Sequence, residues 1–143
     1  LTGSALVVDT DGARTLLMLH RKLGRWFQPG GHADGDTNLA GVALREATEE
    51  TGIDGLRVLP DPIDVDVHLV EPPGEPAHLH LDTRFLVVAP EGAIEVANEE
   101  SLGSRWGTEA AVRLLDPPID PGTRRLVTAG LARARSLLRP DAG

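Results

Sequence analysis

The chain has 143 residues, 41% of them hydrophobic, with 14 basic and 22 acidic side chains giving a formal net charge of −8, and it contains no cysteine. That length holds one core-bearing domain, 1–143, and the apolar and charged content excludes a disordered or collagen-like chain despite 16 glycines and 11 prolines. The missing thiols remove disulfide frameworks, thiolate catalysis and zinc ribbons, and the acidity disfavours a nucleic-acid polymer or an anionic membrane as partner.

In chain order, Ala5 to Asp9 and Thr15 to His20 are apolar-rich runs divided by the turn-prone Asp9-Thr10-Asp11-Gly12, the pattern of two strands and a short turn. Gly24 to Gly35 reads as a loop, because Pro29-Gly30-Gly31 and Asp34-Gly35-Asp36 both break regular structure. Thr37 to Thr51 is predicted as a helix, capped by Asp36 or Thr37 and stopped at Gly52. Leu56 to Leu59, Val65 to Val70 and Leu79 to Ala89 have strand composition, the last two separated by the proline tract 71–76, and a further short strand is expected around Trp106. Glu109 to Leu115 suits a short helix and Pro121 to Arg139 a longer, amphipathic one. Strands, a helix, more strands and two helices imply an α/β architecture, a mixed central sheet with helices on both faces.

Charge is distributed unevenly. Residues 1–120 carry 9 basic and 21 acidic side chains, whereas residues 121–143 carry five Arg and one Asp. The basic face of the last helix is a solvated surface or a contact for a homodimer. No apolar run approaches the ~18 residues of a membrane span, and the first residues lack the layout of a secretory leader, so a cytoplasmic protein is expected.

The predicted helix over 37–51 concentrates the chemistry. At 100° per residue, Glu46, Glu49 and Glu50 fall within an arc of about 100°, and the apolar stripe of Leu39, Val42 and Ala43 runs into that arc. Carboxylates turned towards a protein body repel one another and lose hydration unless a cation neutralises them. An all-oxygen set of this kind selects hard ions such as Mg²⁺ or Mn²⁺. Arg45 flanks the arc, where it can pair with a carboxylate and fix its rotamer. The competing reading is an ordinary salt-bridged helix with its acids in water.

Spacing separates the two readings. Gly31 is followed after thirteen residues by Arg45-Glu46-Ala47-Thr48-Glu49-Glu50-Thr51-Gly52-Ile53. This resembles the Nudix box, Gly-x5-Glu-x7-Arg-Glu-U-x-Glu-Glu-x-Gly-U with U aliphatic, the signature of the Nudix hydrolases. Six fixed residues match in register, a coincidence with a chance probability on the order of 10⁻⁵ at typical residue usage. The box departs at its first Glu, where this chain has Thr37 preceded by Asp36, so Asp36 is the candidate for the bracing role.

The resemblance implies an α/β/α sandwich of Nudix type and cleavage of a diphosphate bond in a nucleoside diphosphate-linked small molecule or a nucleoside triphosphate, by water attack on phosphorus with Mg²⁺ or Mn²⁺. By match to the box it implies Glu49, Glu50 and the Gly30 carbonyl as metal ligands, Glu46 as a further ligand or a close neighbour of the ligands, and Arg45 as their orienter. Glu50 is the first candidate for general base and Glu100 the second. Arg84 and Arg21 are candidate diphosphate ligands, His32 a candidate substrate contact, and Trp26 and Phe27 candidates for stacking on a base, with core packing as the alternative for the aromatics. His78 and His80 lie two apart on a predicted strand and so share a face, with no further zinc ligand evident in the sequence. A catalytically silent Nudix-fold domain that binds a nucleotide is the alternative function. Prenyl diphosphate isomerisation is disfavoured by the missing cysteine, and the lack of tyrosine removes one marker of dinucleoside polyphosphate cleavage.

Overall fold

The computed structural model describes residues 1–96 and 98–139. Its elements in chain order are β1 (Thr2–Val8), β2 (Thr15–His20), β3 (Trp26–Phe27), β4 (Gly30–His32), α1 (Leu39–Thr51), β5 (Arg57–Val70), β6 (His78–Val88), β7 (Ser101–Gly107), α2 (Glu109–Val112) and α3 (Pro121–Leu138). Among the described residues the seven strands form one mixed sheet in the order β3-β2-β1-β6-β5, with β4 also paired to β1 and β7 to β2. β1 runs parallel to β6 and antiparallel to β2 and β4, which makes it the central strand.

Alternation along β1 sets the two layers. Ala5 and Val7 point to one face, where Leu16, Phe85 and Val87 meet Ala43, Ala47 and Ile53 around α1. Leu6 and Val8 point to the other, where Leu17, Leu86 and Val88 meet Leu126, Val127, Leu131 and Ala134 of α3. A central strand covered on both sides must be apolar at successive positions, which explains the unbroken Ala5-Leu6-Val7-Val8. A helix also covers each face, as expected of an α/β/α sandwich. Gly130 lets α3 approach the sheet, since a Cβ there would run into Leu6.

The first strand begins at Thr2 rather than Ala5, the short helix ends at Val112 rather than Leu115, and three further differences from the sequence reading bear on the site. The span 24–35 is not all loop: Trp26 and Phe27 pair with Leu19 and Met18, and Gly30, Gly31 and His32 pair with Ser4, Gly3 and Thr2. Pairing to a strong central strand overrides the weak propensity of glycine. The helix cap is Asn38, whose side chain accepts from the Gly41 N–H, rather than Asp36 or Thr37. Asp36 instead accepts the N–H of Asn38 and so holds the capping residue in place. The two strands expected at 56–59 and 65–70 are one, β5, whose register shifts between Val58 and Pro62 and between Pro62 and Asp64 absorb the prolines. α1 ends as expected at Gly52, in the left-handed conformation with φ 69° and its N–H donated to the Thr48 carbonyl.

Candidate active site

The acidic turn of α1 lies across β4. A Cβ on Gly31 would sit 2.5 Å from the Glu46 carboxyl carbon, and a Cβ on Gly30 would collide with Ser4 Oγ on the opposite side. The glycine pair is therefore squeezed from both faces, and only residues without side chains let helix and strand approach this closely. The Pro29 carbonyl accepts the Ala5 N–H at 2.8 Å and anchors the pair to β1. With β4 in that position, Glu50 Oε2 accepts the Gly30 N–H at 2.9 Å.

Burial follows the same geometry. Glu46 and Glu50 are half-buried, whereas Glu49 is exposed, so two of the three carboxylates turn inward rather than all three. Burial pushes the Glu50 carboxyl up to about 8, and the neighbouring charges of Glu46, Glu100 and Glu49 push the same way, against the Gly30 N–H that favours the charged form. Glu46 is raised by burial and then by Glu49, with Arg45 pulling it down. Arg45 itself lies 3.9 Å from Asp36, both half-exposed, so it connects the acidic turn to the loop that leads into α1.

A second segment reaches the turn from the sheet edge. Val96 donates its N–H to the Thr51 carbonyl, and Asn98 Nδ2 donates to the Glu50 carbonyl at 2.6 Å. The Glu100 N–H is in turn held by Asn98 Oδ1, which brings Glu100 close enough to raise Glu50. Arg21 braces this segment by donating its backbone N–H to the Glu100 carbonyl and its Nε to the Glu99 carbonyl. Asn98 was missed by sequence reasoning, and its only signal was a polar residue just before the Glu99-Glu100 pair.

Of the remaining candidates, Arg84, Trp26 and His32 lie on the α3 face. Arg84 is buried, donating Nε to Asp82 at 3.0 Å and Nη1 to Asp64 at 3.2 Å and to the Gly122 carbonyl at 3.0 Å. The guanidinium expected as a diphosphate ligand is thus engaged by the protein's own carboxylates. Trp26 is buried in the α3-side core and donates Nε1 to the Asp116 carbonyl, so packing outweighs base stacking. Phe27 is half-buried, edge-on to His20 at 5.1 Å, and lines a cleft of 390 Å³ with Gln28, Asp66, Arg84, Asp120 and Thr123. Gln28, two residues before Gly30, lines this cleft and its Oε1 accepts from Thr123 Oγ1. His32 is exposed at the end of β4, with its ring 5.6 Å from that of His80.

The donor set at the acidic turn fits a hard divalent ion: it is all oxygen, it lies against backbone that only glycine can supply, and its two inward carboxylates have raised pKa values that a cation would relieve. Among the described residues, no three acidic or imidazole groups are already gathered about one point.

The family model described as the NUDIX domain matches residues 1–129, so the chain belongs to the Nudix family. It is a hydrolase acting on phosphorus anhydrides. Solved structures share the fold. A Nudix hydrolase from M. smegmatis, RenU, is 25% identical, with a TM-score of 0.62 over 97% of this chain and 85% of that one. The E. coli dihydroneopterin triphosphate pyrophosphohydrolase is 17% identical, with a TM-score of 0.69 over 92% and 94%. An Ap4A hydrolase from C. elegans is also 17% identical, with a TM-score of 0.67 over 98% and 97%. No curated protein sequence matches significantly. Among the described residues no helix is long and apolar enough to cross a membrane.

Proposed function

We propose that this chain, acting as a single domain, is a divalent-metal-dependent hydrolase that splits a phosphoric anhydride in a nucleoside diphosphate-linked small molecule or a nucleoside triphosphate. The observation that carries the reading is the apposition of Glu46 and Glu50 on Gly31 and Gly30, with both carboxyls raised. Glu46, Glu49, Glu50 and the Gly30 carbonyl would hold Mg²⁺ or Mn²⁺. When bound, such an ion supplies positive charge to phosphate oxygens and acidifies water. The pyrophosphohydrolase and Ap4A hydrolase among the similar folds act on small nucleotide-like molecules by their names, which agrees with this substrate class.

The chain's own residues then do three things. Glu50 keeps Oε2 on the Gly30 N–H, leaving Oε1 to take a proton from the attacking water as its oxygen bonds to phosphorus and the anhydride P–O bond breaks. Glu100, held by Asn98, stands beside Glu50 as the alternative base. Phe27, Gln28 and Asp120 bound the cleft that would receive the organic end of the substrate.

The test is incubation with Mg²⁺ and a panel of nucleoside and sugar diphosphates and nucleoside triphosphates, alongside Glu49→Gln and Glu50→Gln. The wild type is expected to release a monophosphate or inorganic diphosphate, and Glu50→Gln to lose about 10²–10⁴-fold in kcat. Undiminished turnover in both variants would refute the assignment.

A further inference from the structure

The ribbon of β5 and β6 is apolar on its solvent side. Val65, Val67 and Leu69 alternate along β5 opposite Thr83, Leu81 and Leu79 of β6, and their parity with Phe85 and Val87 puts them on the α1 side of the sheet. Val65, Val67, Leu69 and Leu79 are each more than half exposed, while Asp64, Asp66 and His68 point to the α3 side. A strand with one solvated face normally shows water its polar residues, the reverse of what β5 does. β5 is also the last strand of the sheet, paired with β6 alone among the described residues, so the backbone groups of its outer edge are open. Its register is broken on both sides of Pro62, but from residue 64 to residue 70 the pairing to β6 runs without a shift and contains no proline. We infer that residues 64–70 are the contact through which two copies of this chain pair, antiparallel and edge to edge, about a twofold axis at Val67.

Length and charge select that axis independently. Val67 is the midpoint of the regular edge 64–70. Residues opposite one another in an antiparallel pair share a face, so the axis passes through a residue and not between two. Placed at Val67, it sets each Asp66 opposite His68 of the second copy, each Val65 opposite Leu69, and Asp64 opposite Val70. Placed at Asp66 it would oppose that carboxylate to itself, and placed at Val65 it would oppose Asp64 to Asp66, both of which are destabilising. Placed at His68 it would oppose two imidazoles and shorten the overlap to residues 66–70. At Val67 the exposed Val65, Val67 and Leu69 of one copy meet Leu69, Val67 and Val65 of the other, and a row now in water becomes a cross-strand cluster. A foreign strand could use the same backbone groups, but only a second copy makes use of the symmetry of the row. The basic face of α3, the homodimer surface considered from the sequence, would instead bring two clusters of arginine together.

The experiment follows the mass of the full chain by analytical ultracentrifugation from about 1 to about 100 μM, the range suited to a small interface. The wild type is expected to reach twice its 15.2 kDa. Val67→Lys sets two ammonium groups on the axis and should hold the mass at 15.2 kDa over the same range, with the circular dichroism of the wild type because Val67 is 57% exposed. His68→Asp faces each Asp66 with a second carboxylate and is expected to weaken association about 10-fold. Register is read separately with Val67→Cys, which introduces the only thiol in the chain and places it opposite its own copy. Mild oxidation should join this variant into a disulfide dimer at least about 10-fold faster than Leu114→Cys, whose position is 84% exposed and far from β5 in the chain. A wild type that stays at 15.2 kDa throughout would overturn the inference. So would a dimer that survives Val67→Lys, association undiminished by His68→Asp, or a Val67→Cys variant that joins no faster than Leu114→Cys.

Discussion

The two faces of the sheet treat their carboxylates in opposite ways. On the α1 face, Glu46 and Glu50 are pressed against Gly30 and Gly31 with the half-exposed Arg45 beside Glu46, and both are raised, Glu50 to about 8. On the α3 face, Asp64, Asp66 and Asp82 surround Arg84, Asp64 and Asp66 receive Arg125 as well, and Asp66 is lowered. Burial penalises the charged form on both faces, but only the α3 face holds guanidinium groups that outweigh it. A face whose charge balance closes within the protein is architecture. One whose balance does not close is suited to an external cation, which is why the acidic turn and not the aspartate cluster is proposed as the catalytic site.

The sharpest way to break this comparison is to open the closed face. Arg84→Met removes the buried partner of Asp82 and Asp64, leaving carboxylates without compensation, and is expected to destabilise the fold by about 3–5 kcal/mol in urea unfolding. A loss below ~1 kcal/mol would mean that the α3-face acids do not depend on Arg84. Next in size is Gly31→Ala. Its methyl group would have to displace the Glu46 carboxylate or β4, so kcat should fall about 10–100-fold with KM for the substrate little changed, the pattern of misplaced catalytic groups rather than lost substrate contacts.

The sequence made the acidic turn legible because it is local. Helical spacing puts Glu46, Glu49 and Glu50 on one arc, and Gly31 and Gly52 mark where the chain enters and leaves the turn. It did not show that Glu49 would be exposed while its neighbours turn inward, since that depends on where β4 crosses the helix. The strands β4 and β3 were hidden for a related reason: Gly30-Gly31 has no strand propensity of its own and pairs only because β1 offers an unpaired edge. The partners of Arg84 were hidden because an arginine on a strand looks the same in sequence whether it faces a ligand or an aspartate from another strand. Asp64 and Gly122, which bond to it, are 20 and 38 residues away. His32 and His80 meet across an even longer separation.

The open face makes a pH prediction of intermediate size. A carboxyl whose folded pKa is raised from 4.5 to about 8 is protonated in the native state over a range where the unfolded chain has shed its proton. Its contribution is complete below 4.5 and is lost as pH rises through 8. The metal-free protein is therefore expected to lose on the order of 1–2 kcal/mol between pH 6 and pH 8, seen as a lower Tm, and Glu50→Gln should flatten the trend. Millimolar Mg²⁺ at pH 8 should recover it, because an ion that binds only the native state stabilises by mass action. A Tm that rises from pH 6 to pH 8 in metal-free wild type and variant alike would show that Glu50 is not the group left uncompensated.

The smallest effect tests the closed face at its rim. Arg125 sits half-exposed on α3, donating to Asp64 at 3.1 Å and to Asp66 at 3.0 Å, so it spans from helix to β5. Because Arg84 remains beneath, Arg125→Gln leaves both aspartates with a partner, and the loss should be only ~0.2–1 kcal/mol. Salt distinguishes the two arginines further. Solvent reaches Arg125, so the wild-type advantage over Arg125→Gln should shrink between ~0.05 M and ~1 M NaCl, where the Debye length falls to ~3 Å. The advantage over Arg84→Met should persist, because ions cannot enter between Arg84 and Asp82. Equal salt sensitivity of the two variants would place both arginines in the same dielectric environment and remove the layering on which the contrast between the faces depends.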